Sequence, residues 1–200
     1  MRIRGWTRAA LVGCLVAPAA QAQTVQLAPF GGYQFGGSFV EPASGIGLSL
    51  KSGLDYGATL DIRLSEHWRV ELLYSRQQSE IGDGPEVSSF DLRLERYMIG
   101  VVEEKGEGST KFIGAALGGV TRFVPGLSGY GSEAEFTLGI GLGVKHFLSK
   151  SFGLRAELRG FYTLTETAGG VFCNQGRCLF AFAGQGLWQG DISGGIILAF

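Results

Sequence analysis

From Leu54 to Leu64 every second residue is apolar: Leu54, Tyr56, Ala58, Leu60, Ile62 and Leu64 hold one parity, and Asp55, Gly57, Thr59, Asp61 and Arg63 hold the other. Successive side chains of a strand point to opposite faces, so the segment has one apolar and one polar face, a pattern no helix can present. After Ser65-Glu66-His67 the alternation resumes. Trp68, Val70, Leu72 and Tyr74 oppose Arg69, Glu71, Ser75 and Gln77, with Leu73 as the exception. Two such runs with three residues between them predict a hairpin. The grammar returns at Phe136, Leu138, Ile140, Leu142 and Val144, again at Phe152, Leu154, Ala156, Leu158 and Tyr162, and finally at Ile192, Gly194, Ile196, Leu198 and Phe200. Less regular strands are predicted at 25–35, 89–102 and 110–123. The second of these changes parity between Glu95 and Tyr97, which predicts a bulge.

That gives eight strands whose links alternate in length. About 18 residues at 36–53 are followed by three at 65–67, ten at 79–88, seven at 103–109, eleven at 124–134, four at 148–151 and about twenty at 164–185. Alternating short turns and long loops with an even strand number predict an all-β, eight-stranded antiparallel up-and-down transmembrane barrel, its short turns and both termini periplasmic. On that topology Tyr33, Phe35, Tyr56, Tyr74, Phe90, Phe136, Tyr162 and Trp188 fall at the outer strand ends on the apolar face, and Trp68, Phe112, Phe152 and Phe200 at the inner ends. Two aromatic girdles flanking an aliphatic band suit the two membrane interfaces.

The polar parity then lines the lumen. Asp55, Asp61, Glu71, Asp91, Glu135, Glu157 and Asp191 share it with Arg63, Arg69, Arg93, Lys145, Arg155 and Arg159. Of these, Asp61, Arg63, Arg69, Glu71, Arg155, Glu157 and Arg159 are the expected lumen charge network. An eight-stranded interior is only just wide enough for its side chains, so paired charges would plug it. Two other readings stay open. One is a narrow passive channel for small solutes through a Gly-lined lumen; the other is a soluble lipocalin-like ligand-binding barrel, whose apolar parity would face inward.

Composition agrees with a β-rich chain: 34 of 200 residues are Gly, too many for a helical bundle. A net charge of −1 points to no nucleic acid or other polyanion, and three Cys and two His leave little material for metal or nucleophile chemistry. Residues 1–22 read as a signal peptide. Arg2, Arg4 and Arg8 precede an apolar stretch from Ala9 to Ala20, and Ala20-Gln21-Ala22 places small residues at the cleavage positions. The stretch is shorter than the roughly 20 residues a membrane helix needs. The mature barrel domain would be 23–200. Leu11-Val12-Gly13-Cys14 is the competing lipobox reading, weakened by an apolar run that continues past Cys14.

Three segments carry a family likeness: Ala28-Pro29-Phe30-Gly31-Gly32-Tyr33, the hairpin from Leu60 to Glu71, and its echo from Gly143 to Glu157. Through these, along almost its whole mature length, the chain resembles the OmpA-like eight-stranded outer-membrane barrel domains of Gram-negative bacteria. The resemblance implies outer-membrane placement, lipid and lipopolysaccharide as surroundings, and terminal Phe200 as the signal for the barrel-insertion machinery. Because the sequence stops at Phe200, no separate peptidoglycan-binding domain is expected, and no cofactor is expected either. Family members serve as adhesins, structural proteins or small channels, so the resemblance names no single activity.

Cys173-Asn174-Gln175-Gly176-Arg177-Cys178 lies in the longest late link, on the side the topology assigns to the oxidising exterior, and predicts a Cys173–Cys178 disulfide. A reduced pair is the alternative. With Phe172, Leu179, Phe180 and Phe182 beside it, this loop is either a contact surface for an extracellular ligand, lipopolysaccharide or another barrel, or a hairpin packed on its neighbours. No enzyme is expected. Lipid A-modifying barrels resemble the chain in size, but Ser65-Glu66-His67 and His146 with Ser149 fall at periplasmic turns, and the His-x-Ser spacing of the deacylases is missing.

Overall fold

The protein's structure, a computed structural model, describes residues 24–40, 47–81, 90–126, 131–164, 170–174, 177–181 and 186–200. The expected signal peptide, 1–22, lies outside them. Also outside the description are the side chains of 38–40, 47–48, 81, 90, 170–174 and 177–181, and with them Phe90, Phe172, Cys173, Cys178, Leu179 and Phe180 as side chains.

Regular structure among the described residues is entirely strand: β1 (Val25–Phe35), β2 (Ser38–Val40), β3 (Gly47–Ser49), β4 (Gly53–Arg63), β5 (Trp68–Ile81), β6 (Phe90–Lys105), β7 (Thr110–Pro125), β8 (Glu133–Phe147), β9 (Phe152–Thr163), β10 (Gly170–Asn174), β11 (Arg177–Ala181) and β12 (Leu187–Ala199). Eight of them close into an antiparallel barrel in the order β1-β12-β9-β8-β7-β6-β5-β4, while β2–β3 and β10–β11 form separate hairpins within two of the long links. Closure is made by β1, which pairs with both β4 and β12. At the seam the backbones of Val25 and Phe200 bond to each other, Phe200 N–H donating to Val25 O at 3.0 Å. Pro29 has no N–H to give. The β1–β12 pairing lapses between Leu27↔Leu198 and Phe30↔Gly195 while its register is kept.

Serine hydroxyls hold two of the short turns. Ser65 Oγ accepts from Trp68 N–H at 3.3 Å, and Ser149 Oγ accepts from Phe152 N–H at 3.1 Å. The third turn, between β6 and β7, needs left-handed backbone at Gly106 and Gly108, with φ of 135° and 67°.

The outer wall is apolar and the interior holds charged and polar layers alternating with apolar ones, the reverse of a soluble lipocalin-like barrel with its polar wall. On β9, Phe152, Leu154, Ala156, Leu158, Gly160 and Tyr162 face outward, whereas Arg155, Glu157, Arg159 and Thr163 are buried inside. Ten residue steps at about 3.3 Å, tilted by about 40°, give this wall a height of about 25 Å, which matches the apolar band of a membrane barrel.

Strand β6 corrects two expectations. Its pairing with β5 runs unbroken from Trp68↔Glu103 to Ile81↔Phe90, so there is no bulge between Glu95 and Tyr97. The apparent parity change arises because the inward face of β6 is itself largely apolar: Leu92, Leu94, Met98 and Val102 are buried beside Arg96 and Glu104. Consequently Asp91 and Arg93 belong to the outward parity, not to the lumen. Tyr97 joins the outward aromatic residues, 48% exposed and tilted at 45° against Tyr74 with ring centroids 5.1 Å apart.

Candidate functional site: the charged lumen

The inward parity brings four carboxylates and four cations together in the half of the lumen nearer the short turns. Lys145 on β8 donates from Nζ to Asp61 Oδ2 on β4 at 2.6 Å, to Glu104 Oε1 on β6 at 2.6 Å and to Gln26 Oε1 on β1 at 2.9 Å. Arg155 on β9 donates from Nη1 to Thr59 Oγ1 at 2.9 Å and to Asp61 Oδ2 at 3.0 Å. Its Nη2 reaches Glu71 on β5 and Glu157 Oε1, the latter at 2.8 Å. Arg159 pairs with Glu157 and stands 3.5 Å from Glu71, and Arg69 Nε lies 2.9 Å from Glu104 Oε1. All eight charged groups are buried. A buried charge is tolerated only when paired and hydrogen-bonded, so the equal numbers of acids and bases are a condition for filling the lumen this way.

Above this network lies an apolar layer of Leu73, Met98, Leu117 and Phe161, with Phe30 packed against it. Arg159 sits over the Phe30 ring at 5.3 Å and Arg96 over the Phe161 ring at 4.5 Å, so the layer is clamped between two guanidinium groups. Beyond it a second polar layer begins. Arg96 donates to Gln34 Oε1 at 3.0 Å and to Gln189, and Thr137 bonds both Thr121 and Thr163, at 2.6 and 3.0 Å. Toward the long links Leu50, Leu92, Leu94, Phe123 and Leu187 are all buried. Toward the short turns Ala28, Ile197 and Ala199 cluster with Phe147. The interior is therefore stacked layer on layer with side chains.

Six of the seven expected network residues meet here: Asp61, Arg69, Glu71, Arg155, Glu157 and Arg159. Arg63 does not join them. It is half-buried at the end of β4 beside the short turn and makes no ion pair among the described residues. Glu104 was missed because the predicted strand stopped at 102. Lys145 was placed on the correct face but not in the network, since its partners are 41 and 84 residues away along the chain.

Of the expected interface aromatics, Tyr33, Trp68, Phe152 and Trp188 are exposed on the outer wall at strand ends, and Tyr74 and Tyr162 are half-buried there. Tyr162 and Trp188 meet at a 36° tilt with ring centroids 4.7 Å apart. The two turn histidines have ordinary settings: His146 Nδ1 lies 2.9 Å from Thr110 Oγ1, and His67 O accepts from the Glu104 backbone N–H at 2.7 Å.

No family model matches the chain, and no curated protein matches it. Solved structures do. Neisserial surface protein A (NspA) is 16% identical over 90% of this chain and 100% of that one, with a TM-score of 0.63. The outer membrane protein OprG from Pseudomonas aeruginosa is 13% identical over 89% and 97%, with a TM-score of 0.55. The outer membrane protein AlkL, solved in DMPC lipid bilayers, is 12% identical over 94% and 95%, with a TM-score of 0.53. At these identities the likeness is one of fold, and the fold of this chain is that of the eight-stranded outer-membrane β-barrels.

Proposed function

We propose that the protein is an integral outer-membrane barrel with a plugged lumen, acting at the cell surface through its loops as a structural or interaction protein. The observation that carries this reading is the Lys145–Asp61–Arg155–Glu71 network, which ties β4, β5, β8 and β9 together across the lumen and leaves its charges paired. The apolar outer wall supports placement in a bilayer, with the short turns periplasmic and the long links outside. NspA, a similar barrel, is named as a surface protein.

In this reading the hairpin of β10 and β11 is the principal surface element. Cys173 and Cys178 stand directly opposite one another in its register, which supports a disulfide between them. Phe200, whose backbone closes the seam with β1, is read as the insertion signal for the barrel-assembly machinery. No catalytic role is assigned: the hydroxyls of Ser65 and Ser149 accept backbone N–H bonds that shape their turns, and His146 Nδ1 faces Thr110 Oγ1 at 2.9 Å.

The test is twofold. In planar bilayers the plugged barrel gives no steady conductance; a stable open level that falls when Arg155 is neutralised would replace this reading with the channel. Exchange of residues 164–185 for a short turn is expected to reduce attachment of whole cells to host surfaces; unchanged attachment would remove the interaction role.

A further inference from the structure

The outer wall of β5, β6 and β7 carries a charge cluster that the lumen does not use. Arg76, Glu95 and Arg122 lie side by side in register across the three strands, Arg76↔Glu95 and Glu95↔Arg122. Arg93 Nε is 3.0 Å from Glu95 Oε1, and Arg122 Nη1 is 3.6 Å from Glu95 Oε2. Arg122 also donates to Ser132 Oγ from Nε and Nη2, at 3.0 and 2.9 Å. Arg93 and Arg122 thus share one carboxylate, while Arg76, opposite Glu95 in register, has its Nε shielded from solvent without a hydrogen-bond partner among the described residues. One row farther toward the long links, Asp91 is exposed and Glu80 is held by Lys51 at 2.5 Å.

Directly beneath the cluster, toward the short turns, come Tyr74 and Tyr97, with Tyr56 opposite Arg76 in register. Below and beside the tyrosine rings, an apolar groove of about 500 Å³ runs along the wall past Leu60, Leu72, Ile99 and Gly118. Above them a smaller cleft of about 250 Å³ opens between Gln78, Asp91, Arg93, Val124 and Gly126. The groove exists because Gly118 leaves a gap on the outward face of β7, where a side chain would otherwise fill it. The arginines and the cleft lie on the long-link side of the tyrosine pair, and the apolar groove lies on its short-turn side.

We propose that this surface binds one phosphorylated, multiply acylated lipid of the outer leaflet, its phosphate on Arg76, Arg93 and Arg122 and one acyl chain in the groove beneath Tyr74 and Tyr97. Guanidinium groups match phosphate by bidentate hydrogen bonding, and long side chains at strand ends reach to headgroup depth while their stems stay in apolar surroundings. A free phosphate ion would leave the groove unused, and an uncharged lipid would leave the three guanidiniums with Glu95 and Asp91 as their neighbouring carboxylates on this face. The inference rests on the membrane placement proposed above, with the long links outside.

The experiment is native mass spectrometry of the full folded chain in detergent. The probes are bisphosphorylated lipid A, dephosphorylated lipid A and inorganic phosphate. The protein is expected to retain one bisphosphorylated lipid and neither of the other probes. R76Q/R93Q/R122Q is expected to weaken that retention by about tenfold or more, as the loss of charge-assisted hydrogen bonds implies. Gly118→Leu, which fills the groove, weakens it with the arginines intact, and Arg63→Gln at the opposite end leaves it unchanged. Equal retention of dephosphorylated lipid, binding of inorganic phosphate alone, or full retention by the triple variant would each overturn the site. Should the triple variant fail to fold, the single variants R76Q and R122Q carry the comparison, and unchanged retention by both overturns it equally. Folding is read separately, by the mobility shift on boiling: a native chain without that shift refutes the membrane placement, whereas a shifting chain without phosphate dependence refutes the lipid site alone.

Discussion

Lys145 Nζ lies 2.6 Å from Asp61 Oδ2, a contact that crosses the lumen from β8 to β4. Neither residue has appreciable solvent exposure, and each has a second partner of opposite charge: Glu104 for Lys145, Arg155 for Asp61. The barrel is therefore braced through its interior as well as around its wall.

Breaking that brace on one side should cost more than the lost contact alone, because it strands the charges left behind. Asp61→Asn leaves Lys145 and Arg155 each short of a counter-charge, and should lower stability by about 3 kcal/mol or more. Lys145→Met should do comparable harm by leaving Asp61 and Glu104 underpaired. The double variant should be less destabilised than the sum of the two, because the strongest unpaired charges disappear together. Urea unfolding of barrels folded into lipid vesicles, followed by circular dichroism, measures all three; strict additivity would remove the coupling.

The outer wall makes a prediction of opposite sense to that of a soluble protein. Leu142 is 70% exposed on the wall of β8, and in water its replacement by Arg would be close to neutral. Facing hydrocarbon near mid-depth, Leu142→Arg should cost about 2–4 kcal/mol, while Glu107→Arg in the short turn between β6 and β7 should cost little. Unfolding from lipid vesicles distinguishes the two cases.

Glycines divide sharply by site. A Cβ at Gly57 would meet Tyr74 O at 2.0 Å and Phe30 Cζ at 2.7 Å, and one at Gly143 would meet Ala156 O at 2.4 Å and Glu157 Cγ at 2.6 Å. Gly31 has nothing within 4 Å of such a position. Gly57→Ala and Gly143→Ala should each destabilise by about 1–3 kcal/mol, the second also displacing Glu157 from Arg155. Gly31→Ala should stay within about 0.5 kcal/mol of the parent.

With Cys173 and Cys178 joined, the protein carries two fewer hydrogens than its reduced form, and neither cysteine is alkylated before reduction. Intact-mass measurement with and without reductant checks this. Alkylation of both thiols in the untreated protein would give the reduced pair instead.

The parts of the barrel that could be read from the sequence are those where the two faces differ in polarity. The β4–β5 hairpin and the β8–β9 pair were legible because Asp61, Arg69, Glu71, Lys145, Arg155 and Glu157 alternate with aliphatic residues. In β6 the distinction fails: Leu92, Leu94, Met98 and Val102 point inward, Ile99 and Val101 outward, and both faces look apolar. That ambiguity produced the unneeded bulge and hid Tyr97 from the interface aromatics. Parity also gives a face without a depth. It put Arg63 on the lumen side with Asp61, but only the barrel's tilt and closure decide that Asp61 meets Lys145 and Arg155 while Arg63 remains at the rim. The arginine cluster on the outer wall was illegible for the same reason, since it unites three strands whose register the sequence alone does not supply.

The most direct test of the account is electrophoresis of the barrel after folding into lipid vesicles, with and without boiling, beside far-ultraviolet circular dichroism. The apolar wall and closed strand ladder predict a β-rich species that forms only in lipid or detergent and migrates faster unboiled than boiled. A chain that folds in plain buffer and shows no shift on boiling would contradict the membrane barrel.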